Sequence, residues 1–257
     1  MFQEVIEERK KKQASDPNYQ PPEDYLQVLM EAKYKDGTPL TMTEITGNMI
    51  GILLGGQHTS NVTGTWCLSH LLKEPKWLKA VMEEQKKFFS DKGPYATQPA
   101  TLTYEQVQQM EVFDQVLSET LRLHPPFFQL SRKVKVDSEF NGTVIPAGHI
   151  VNISPSASHR NPELWDEPNE FDPTRFAPEN KDKIKPYAWI PFGGGMHQCG
   201  GRKFAWNSLK ASLSWLLRNY ELELIGKGAT EMPKEDYTTM VVAPTKSHTR
   251  VKYTRRR

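Results

Sequence analysis

The chain has 257 residues, 37% of them hydrophobic and 25% charged, with 33 basic against 31 acidic side chains and a formal net charge of +2. That length and composition suit one large globular domain or two small ones, and the near balance of charge removes any electrostatic case for a nucleic-acid partner. The only two cysteines, Cys67 and Cys199, exclude a disulfide framework and fit a reducing, cytosol-facing environment.

The opening MFQEVIEERKKK is charged rather than signal-like. No run approaches the roughly eighteen apolar residues of a spanning helix, so any membrane anchor is expected to lie elsewhere. Pro21-Pro22 opens a helix predicted to run through Ala32. Thr41-Met-Thr-Glu44 is a capping box, and the apolar spacing behind it predicts a long helix from about Met42 to Leu72, weakened at Gly55-Gly56. Pro75 starts another helix to about Phe89. Thr103-Tyr-Glu-Gln106 is a second capping box, and Phe113 to Leu123 forms a further helix that Pro125-Pro126 stops.

The second half changes character. SRKVKV alternates like a strand, Asn141-Gly142 is a turn signal, and HIVNIS reads as the next strand. Residues 161–191 are proline-rich, acidic and aromatic, a coil too long to be idle in a compact domain. An amphipathic helix follows from about Gly201 to Tyr220, and ELELI, YTTMVV and RVKYT read as closing strands. The predicted class is therefore mainly α with small β-sheets.

The segment Pro191-Phe-Gly-Gly-Gly-Met-His-Gln-Cys-Gly-Gly-Arg202 presents one thiol on a flexible loop just before a helix N-terminus. Helix-end amides favour an anion, and a thiolate is the form of cysteine that ligates iron. Glycine-rich turns before helices also cradle phosphates, but no Gly-Lys-Ser/Thr follows. Structural zinc wants four ligands, and beside His197 and Cys199 the chain has only one other cysteine. On this segment alone, a tight turn around a buried cysteine stays open.

Taken in order, Phe192-x-x-Gly195-x-His197-x-Cys199-x-Gly201 resembles the haem-binding signature of the cytochrome P-450 superfamily. Glu119-Thr-Leu-Arg122 and Asp172-Pro-Thr-Arg175-Phe176 resemble two further motifs of that family, at the expected order and distance, so the resemblance covers the whole chain. By itself Glu119-x-x-Arg122 is a helical surface pair contributing about 0.3–0.5 kcal/mol. The resemblance instead implies a buried structural network of Glu119, Arg122 and Arg175 locking the coil behind the haem. GGQHTS, with DGTPLT, ETLRLHPP and Tyr237-Thr-Thr-Met240, is similar to the sterol 14α-demethylase family. In that family a histidine-threonine pair, here His58-Thr59, stands where most of the superfamily has acid-threonine.

The resemblance carries a set of expectations. Cys199 would ligate the iron of haem b, in a loop built with Phe192, Gly193 and Gly201. Arg132 and His197 would hold the haem propionates, and Phe127, Gln129, Thr239 and Met240 would line the sterol side. His58, which alone would be read as a satisfied interior histidine, would with Thr59 carry protons to bound O2. Electrons would come from NADPH through cytochrome P-450 reductase, and the substrate would be a lanosterol-type sterol losing its 14α-methyl group. The resemblance also implies that residues 1–257 are the C-terminal part of a single cytochrome P-450 domain whose N-terminal half, with its contact to the endoplasmic reticulum membrane on the cytosolic face, is absent. Two rival expectations are a haem-thiolate monooxygenase acting on another lipid and a truncated, non-catalytic fragment that binds haem or a partner.

Overall fold

A computed structural model describes residues 2–89 and 102–256. They form two compact units, residues 1–58 and 59–257. In the first, helix α1 (Phe2–Ser15) occupies the opening that the sequence shows only as charged, and it buries Ile6. Its Arg9 forks onto both oxygens of Asp24, at 2.8 and 2.5 Å. Asp24 also accepts from the Gln27 amide and so caps α2 (Tyr25–Glu31). This cap explains why the helix starts at Tyr25 rather than at the prolines. Ile6, Leu26, Leu29 and Ile45 make the small core of the unit.

Helix α3 (Met42–Lys73) begins in this unit and ends in the second. Its capping box is complete: the Thr41 amide donates to Glu44 at 2.7 Å and the Glu44 amide to the Thr41 hydroxyl at 3.3 Å. The helix passes through Gly55-Gly56 unbroken. Each internal glycine costs about 1 kcal/mol, which a helix of 32 residues absorbs.

In the second unit α4 (Pro75–Lys86), α5 (Tyr104–Gln108) and α6 (Glu111–Leu123) follow. The helix expected to run from Pro75 to about Phe89 ends at Lys86, and residues 90–101 lie outside the described residues. Two strands, β1 (Leu130–Lys133) and β4 (Ile150–Ile153), pair antiparallel, with Arg132 opposite Val151. Between them β2 (Ser138–Phe140) and β3 (Thr143–Ile145) form a hairpin. Its turn residues Asn141 and Gly142 take φ of 48° and 74°, the left-handed pair that Asn-Gly supplies at low cost. Helix α7 (Pro155–His159) leads into a coil containing two 3-10 turns, Pro173–Phe176 and Pro178–Lys183.

Helix α8 (Arg202–Asn219) is followed by β5 (Tyr220–Leu224), α9 (Lys227–Thr230), β6 (Glu235–Asp236), β7 (Ala243–Pro244) and β8 (Val251–Arg255). Strands β5 and β8 pair, as do β6 and β7. The expected strand YTTMVV is instead the bend between β6 and β7. Asp236 takes both the amide and the hydroxyl of Thr238, at 2.9 and 2.6 Å, and folds the chain back before a ladder can extend.

Helix α6 is the centre of the unit. Phe113, Leu117 and Leu121 are buried, the first two in a core shared with Leu71, Val81 and Leu213. Its first turn is held by other elements: Glu84 of α4 accepts from the amides of Val112 and Phe113 at 2.7 and 3.1 Å. Asp114 receives the buried Lys210 ammonium at 2.7 Å and the Trp206 indole at 2.5 Å, both from α8. The mainly helical class with small sheets is thus what the structure has.

Candidate functional site

The last turn of α6 holds a fully buried ion pair. The Arg122 guanidinium donates to the two oxygens of Glu119 at 2.6 and 2.8 Å, and both side chains have no exposed surface. Its remaining donors reach the carbonyls of His159, Pro168 and Glu170 at 2.7, 2.6 and 3.0 Å. Glu119 also accepts from the Asp172 amide at 2.8 Å and lies 3.4 Å from Nε of Arg175. Arg175 in turn donates to the Glu167 carbonyl at 2.9 Å. One helical turn therefore satisfies a stretch of coil that makes few backbone bonds of its own, which is how such a coil keeps a single shape.

That coil delivers the chain to the cysteine loop. The Trp189 indole donates to the Ser118 carbonyl at 3.2 Å, and the Ile190 amide donates to Nε2 of His159 at 2.8 Å. Beyond them the loop turns on itself, with the Cys199 amide donating to the Phe192 carbonyl at 2.8 Å. Gly193 and Gly195 stand at φ of 74° and 68°, where a side chain would be strained. At Gly201 a Cβ would lie 3.7 Å from the Cys199 sulfur. Phe192 is half-buried, its ring centroid 5.8 Å from that of Trp206 and 5.6 Å from the Arg202 guanidinium carbon. Cys199 is exposed, which removes the reading of a buried cysteine in a tight turn.

The other cysteine differs in kind. Burial pushes the Cys67 thiol up to about 12, so it stays protonated and inert inside the core. Of the two cysteines, Cys199 is the one whose sulfur is accessible.

The loop abuts β1: a Cβ on Gly193 would lie 3.9 Å from Leu130. Arg132 is two residues further along the same strand, hence on the same face as Leu130. Its guanidinium donates to the Ser131 carbonyl at 2.9 Å, and among the described residues no carboxylate pairs with it. His197 is exposed, on the 3-10 turn Gly195–His197. The segment before β1 places Phe127, Phe128 and Gln129 on the surface. It touches the β6–β7 bend, because the Val242 amide donates to the Pro126 carbonyl at 2.9 Å and Phe128 meets Tyr237 edge to face. Phe127 and Gln129 are thus brought beside the segment carrying Thr239 and Met240, all four exposed. His58 is exposed and Thr59 half-buried, consecutive on α3, and the division between the two units falls between them.

These residues fit an iron porphyrin. The group needs an accessible soft donor, an apolar bed and cations for its carboxylates. Cys199 offers such a donor. Phe127, Phe128, Ile150, Ile153, Met196 and Met240 expose apolar surface on the neighbouring segments, and Arg132 is a cation that pairs with no carboxylate among the described residues. Among the described residues no cluster of three or more His, Cys, Asp or Glu could hold a metal by itself.

His159 and Trp189 were not singled out by sequence reasoning. The only trace of the histidine is its place at the end of a short helix started by Ser154-Pro155, whose serine hydroxyl accepts from the Ala157 amide. A second buried cluster also escaped it. His124 stacks on Trp66 with centroids 3.6 Å apart, Nε2 of His70 and of His124 are 3.0 Å apart, and Glu235 lies 3.3 Å from Nδ1 of His124 and 3.0 Å from Arg160. That cluster ties the β6–β7 hairpin to the end of α6.

The family model described as cytochrome P450 matches residues 1–250. Lanosterol 14-alpha demethylase of Mus musculus is 38% identical over 225 residues, covering 88% of this chain and 43% of the relative. Sterol 14-demethylase of Arabidopsis thaliana is 38% identical over 242 residues, covering 91% and 47%. Obtusifoliol 14-alpha demethylase of Sorghum bicolor is 36% identical over 266 aligned positions, covering 100% and 50%. The chain therefore spans half or less of the length of these curated relatives. No helix among the described residues is long and apolar enough to cross a membrane.

Proposed function

Because the chain belongs to the cytochrome P450 family, we propose that it is the thiolate-bearing part of a monooxygenase that removes the 14α-methyl group of a lanosterol-type sterol. The observation that carries this reading is the exposed Cys199 on its glycine loop ahead of α8, a donor that can reach an iron while the only other cysteine is sealed in the core. Haem b, when bound, supplies the oxidising chemistry on O2 that converts the methyl group to formate in successive steps.

The chain's own residues supply the rest. Cys199 would hold the iron through its sulfur, and the loop glycines would let backbone N–H groups come close to that sulfur and temper its charge. Arg132 and His197 would hold the propionates. Phe192 and Gly193 shape the face next to the sulfur, and Gly201 leaves room beside it. Phe127, Thr239 and Met240 give the sterol an apolar wall, while Gln129 meets a polar sterol group or a water. His58 and Thr59 pass protons toward the oxygen side. Glu119, Arg122 and Arg175 keep the coil in place and take no part in the chemistry. Electrons arrive from NADPH through cytochrome P-450 reductase, at the cytosolic face of the endoplasmic reticulum membrane. The sterol is favoured over another lipid because the relatives named above are sterol demethylases at 36–38% identity.

The test is the absorption spectrum of the reduced, carbon-monoxide-treated protein with hemin, wild type beside Cys199→Ala, followed by product analysis with a 14α-methyl sterol. A thiolate-type spectrum confined to the wild type supports the ligand, and a demethylated product supports the substrate. A spectrum that survives the substitution overturns the ligand, and an intact spectrum with a different lipid as the oxidised substrate overturns the sterol.

A further inference from the structure

His159 has no exposed surface and uses both ring nitrogens. Nδ1 lies 3.1 Å from the Arg122 carbonyl, which can only accept, so Nδ1 carries the proton. Nε2 lies 2.8 Å from the Ile190 amide, which can only donate, so Nε2 carries the lone pair. The neutral ring thus has a single tautomer, fixed from both sides. The backbone carries the linkage onward: the Gly193 amide donates to the Ile190 carbonyl at 3.1 Å, and the Cys199 amide to the Phe192 carbonyl at 2.8 Å. Ile190 is the last residue anchored to another element before the loop, and its anchor is this imidazole.

The bond also runs back the other way. The Arg122 guanidinium donates to the His159 carbonyl at 2.7 Å, so the end of α6 and the end of α7 each hold the other. The loop's entry is therefore slung from the most buried part of α6, through Trp189 to Ser118 and through His159 to Arg122. Its exit is slung from the same helix through Trp206 and Lys210 to Asp114. Cys199 sits exposed between two fixed ends.

We infer that His159 is a positioning residue for Cys199, holding in one place the loop that would present the thiol to an iron. The inference rests on Cys199 as the iron ligand. An exposed loop rich in glycine has many accessible conformations, and a ligand displaced by about 1 Å is a poor one. What His159 supplies is a donor-acceptor bridge of fixed length between the α6 backbone and the strand of chain that carries the sulfur.

The groups facing His159 are the Arg122 peptide and guanidinium from α6, Arg160 beside it, and the Ile190 amide from the coil. Burial first, and the Arg122 and Arg160 charges after it, oppose a second proton on the ring and hold its pKa down to about 4. A proton on Nε2 would face the Ile190 N–H and break the bridge. The bridge is present above that value and is lost as pH falls through it.

The experiment uses the chain with hemin, comparing wild type, His159→Phe and His159→Gln. Phenylalanine fills the space without a donor or acceptor, and glutamine restores one of each. In His159→Phe the amides of Ile190 and Cys199 are expected to exchange at least about tenfold faster in the chain without hemin. The same variant should lose most of its thiolate-type carbon monoxide spectrum while the haem remains bound. His159→Gln should recover both, and should keep its spectrum at acidic pH where the wild type loses it. If His159→Phe does not fold, that pH comparison between wild type and His159→Gln carries the test. A His159→Phe protein with wild-type exchange at Cys199 and a wild-type spectrum overturns the positioning role, as does a wild-type spectrum that persists below the pH at which Nε2 gains its proton. A wild type with no cysteine-dependent spectrum overturns the haem-ligand reading itself and the positioning role with it, and it is told apart by failing beside Cys199→Ala before any His159 variant is made.

Discussion

Replacing Arg122 with leucine removes the cation from a site with no exposure. The Glu119 carboxylate keeps only the Asp172 amide and the more distant Arg175, and the carbonyls of His159, Pro168 and Glu170 lose their donors. Breaking a buried pair costs about 3–5 kcal/mol. Each orphaned carbonyl adds about 1–3 kcal/mol before relaxation. The two partners left to Glu119 pull the first figure down and the three carbonyls push the total up, so a loss of about 4 kcal/mol or more is expected. That is a large part of the roughly 5–15 kcal/mol that holds a domain together. In urea, at a slope of about 3 kcal/mol per molar, the midpoint should fall by more than about 1 M, read by tryptophan fluorescence and far-UV circular dichroism. The double variant Glu119→Leu, Arg122→Leu separates the pair from the clasp. Removing both charges returns the pair's contribution, but the three carbonyls and the Asp172 amide stay unpartnered at about 1–3 kcal/mol each before relaxation, so a clear loss should remain. A single variant within about 1 kcal/mol of wild type would refute the whole account, and a double variant equal to wild type would refute the clasp.

Gly228→Ala should destabilise by several kcal/mol, because a Cβ there would overlap the His248 carbonyl oxygen, a backbone atom that cannot rotate away; thermal unfolding reads it, and an unchanged midpoint would contradict that packing. Stability should fall with acid between about pH 6.5 and 4, since the unfolded His159 takes up a proton near its ordinary value while the folded one is held down to about 4 by burial. The sign is that of a depressed histidine: the contribution is complete above the unfolded pKa and is lost as pH drops toward the folded one. Urea midpoints at pH 7 and pH 5 for wild type and His159→Gln should diverge, and parallel curves would rule this out. Asp114→Ala should cost about 2–4 kcal/mol, because it strands the Lys210 ammonium, 1% exposed, and the Trp206 indole together. Adding Lys210→Met to that variant should recover part of the loss in the same denaturation assay, and no recovery would mean that the indole bond carries the effect.

What could be read from the sequence was local. Thr41 and Glu44, and Thr103 and Gln106, cap helices within four residues of themselves, and both boxes close as expected. Asn141-Gly142 makes its hairpin turn for the same reason: one residue pair sets its own backbone angles. The glycine loop ahead of α8 was likewise visible, since neighbouring residues alone give it its freedom and put a thiol before a helix. Position along the chain could also say that Glu119 and Arg122 share a helical face. It could not say that the face is buried, nor that Arg122 has three carbonyls around it, from the end of α7 and from the coil, 37 to 48 residues away. YTTMVV shows the opposite failure, a run with strand-like side chains that a single turn at Asp236 folds into a bend.

The residues that fix the cysteine loop in space, His159, Trp189, Trp206 and Lys210, find their partners on α6 across separations of 37, 71, 92 and 96 positions. An imidazole, an indole or an ammonium can satisfy itself with any of dozens of groups, or with water. Which one it meets is decided when burial removes the water and packing leaves one acceptor within reach. The chemistry of the site was written in a short stretch of sequence, and the placement of that chemistry came from the tertiary fold.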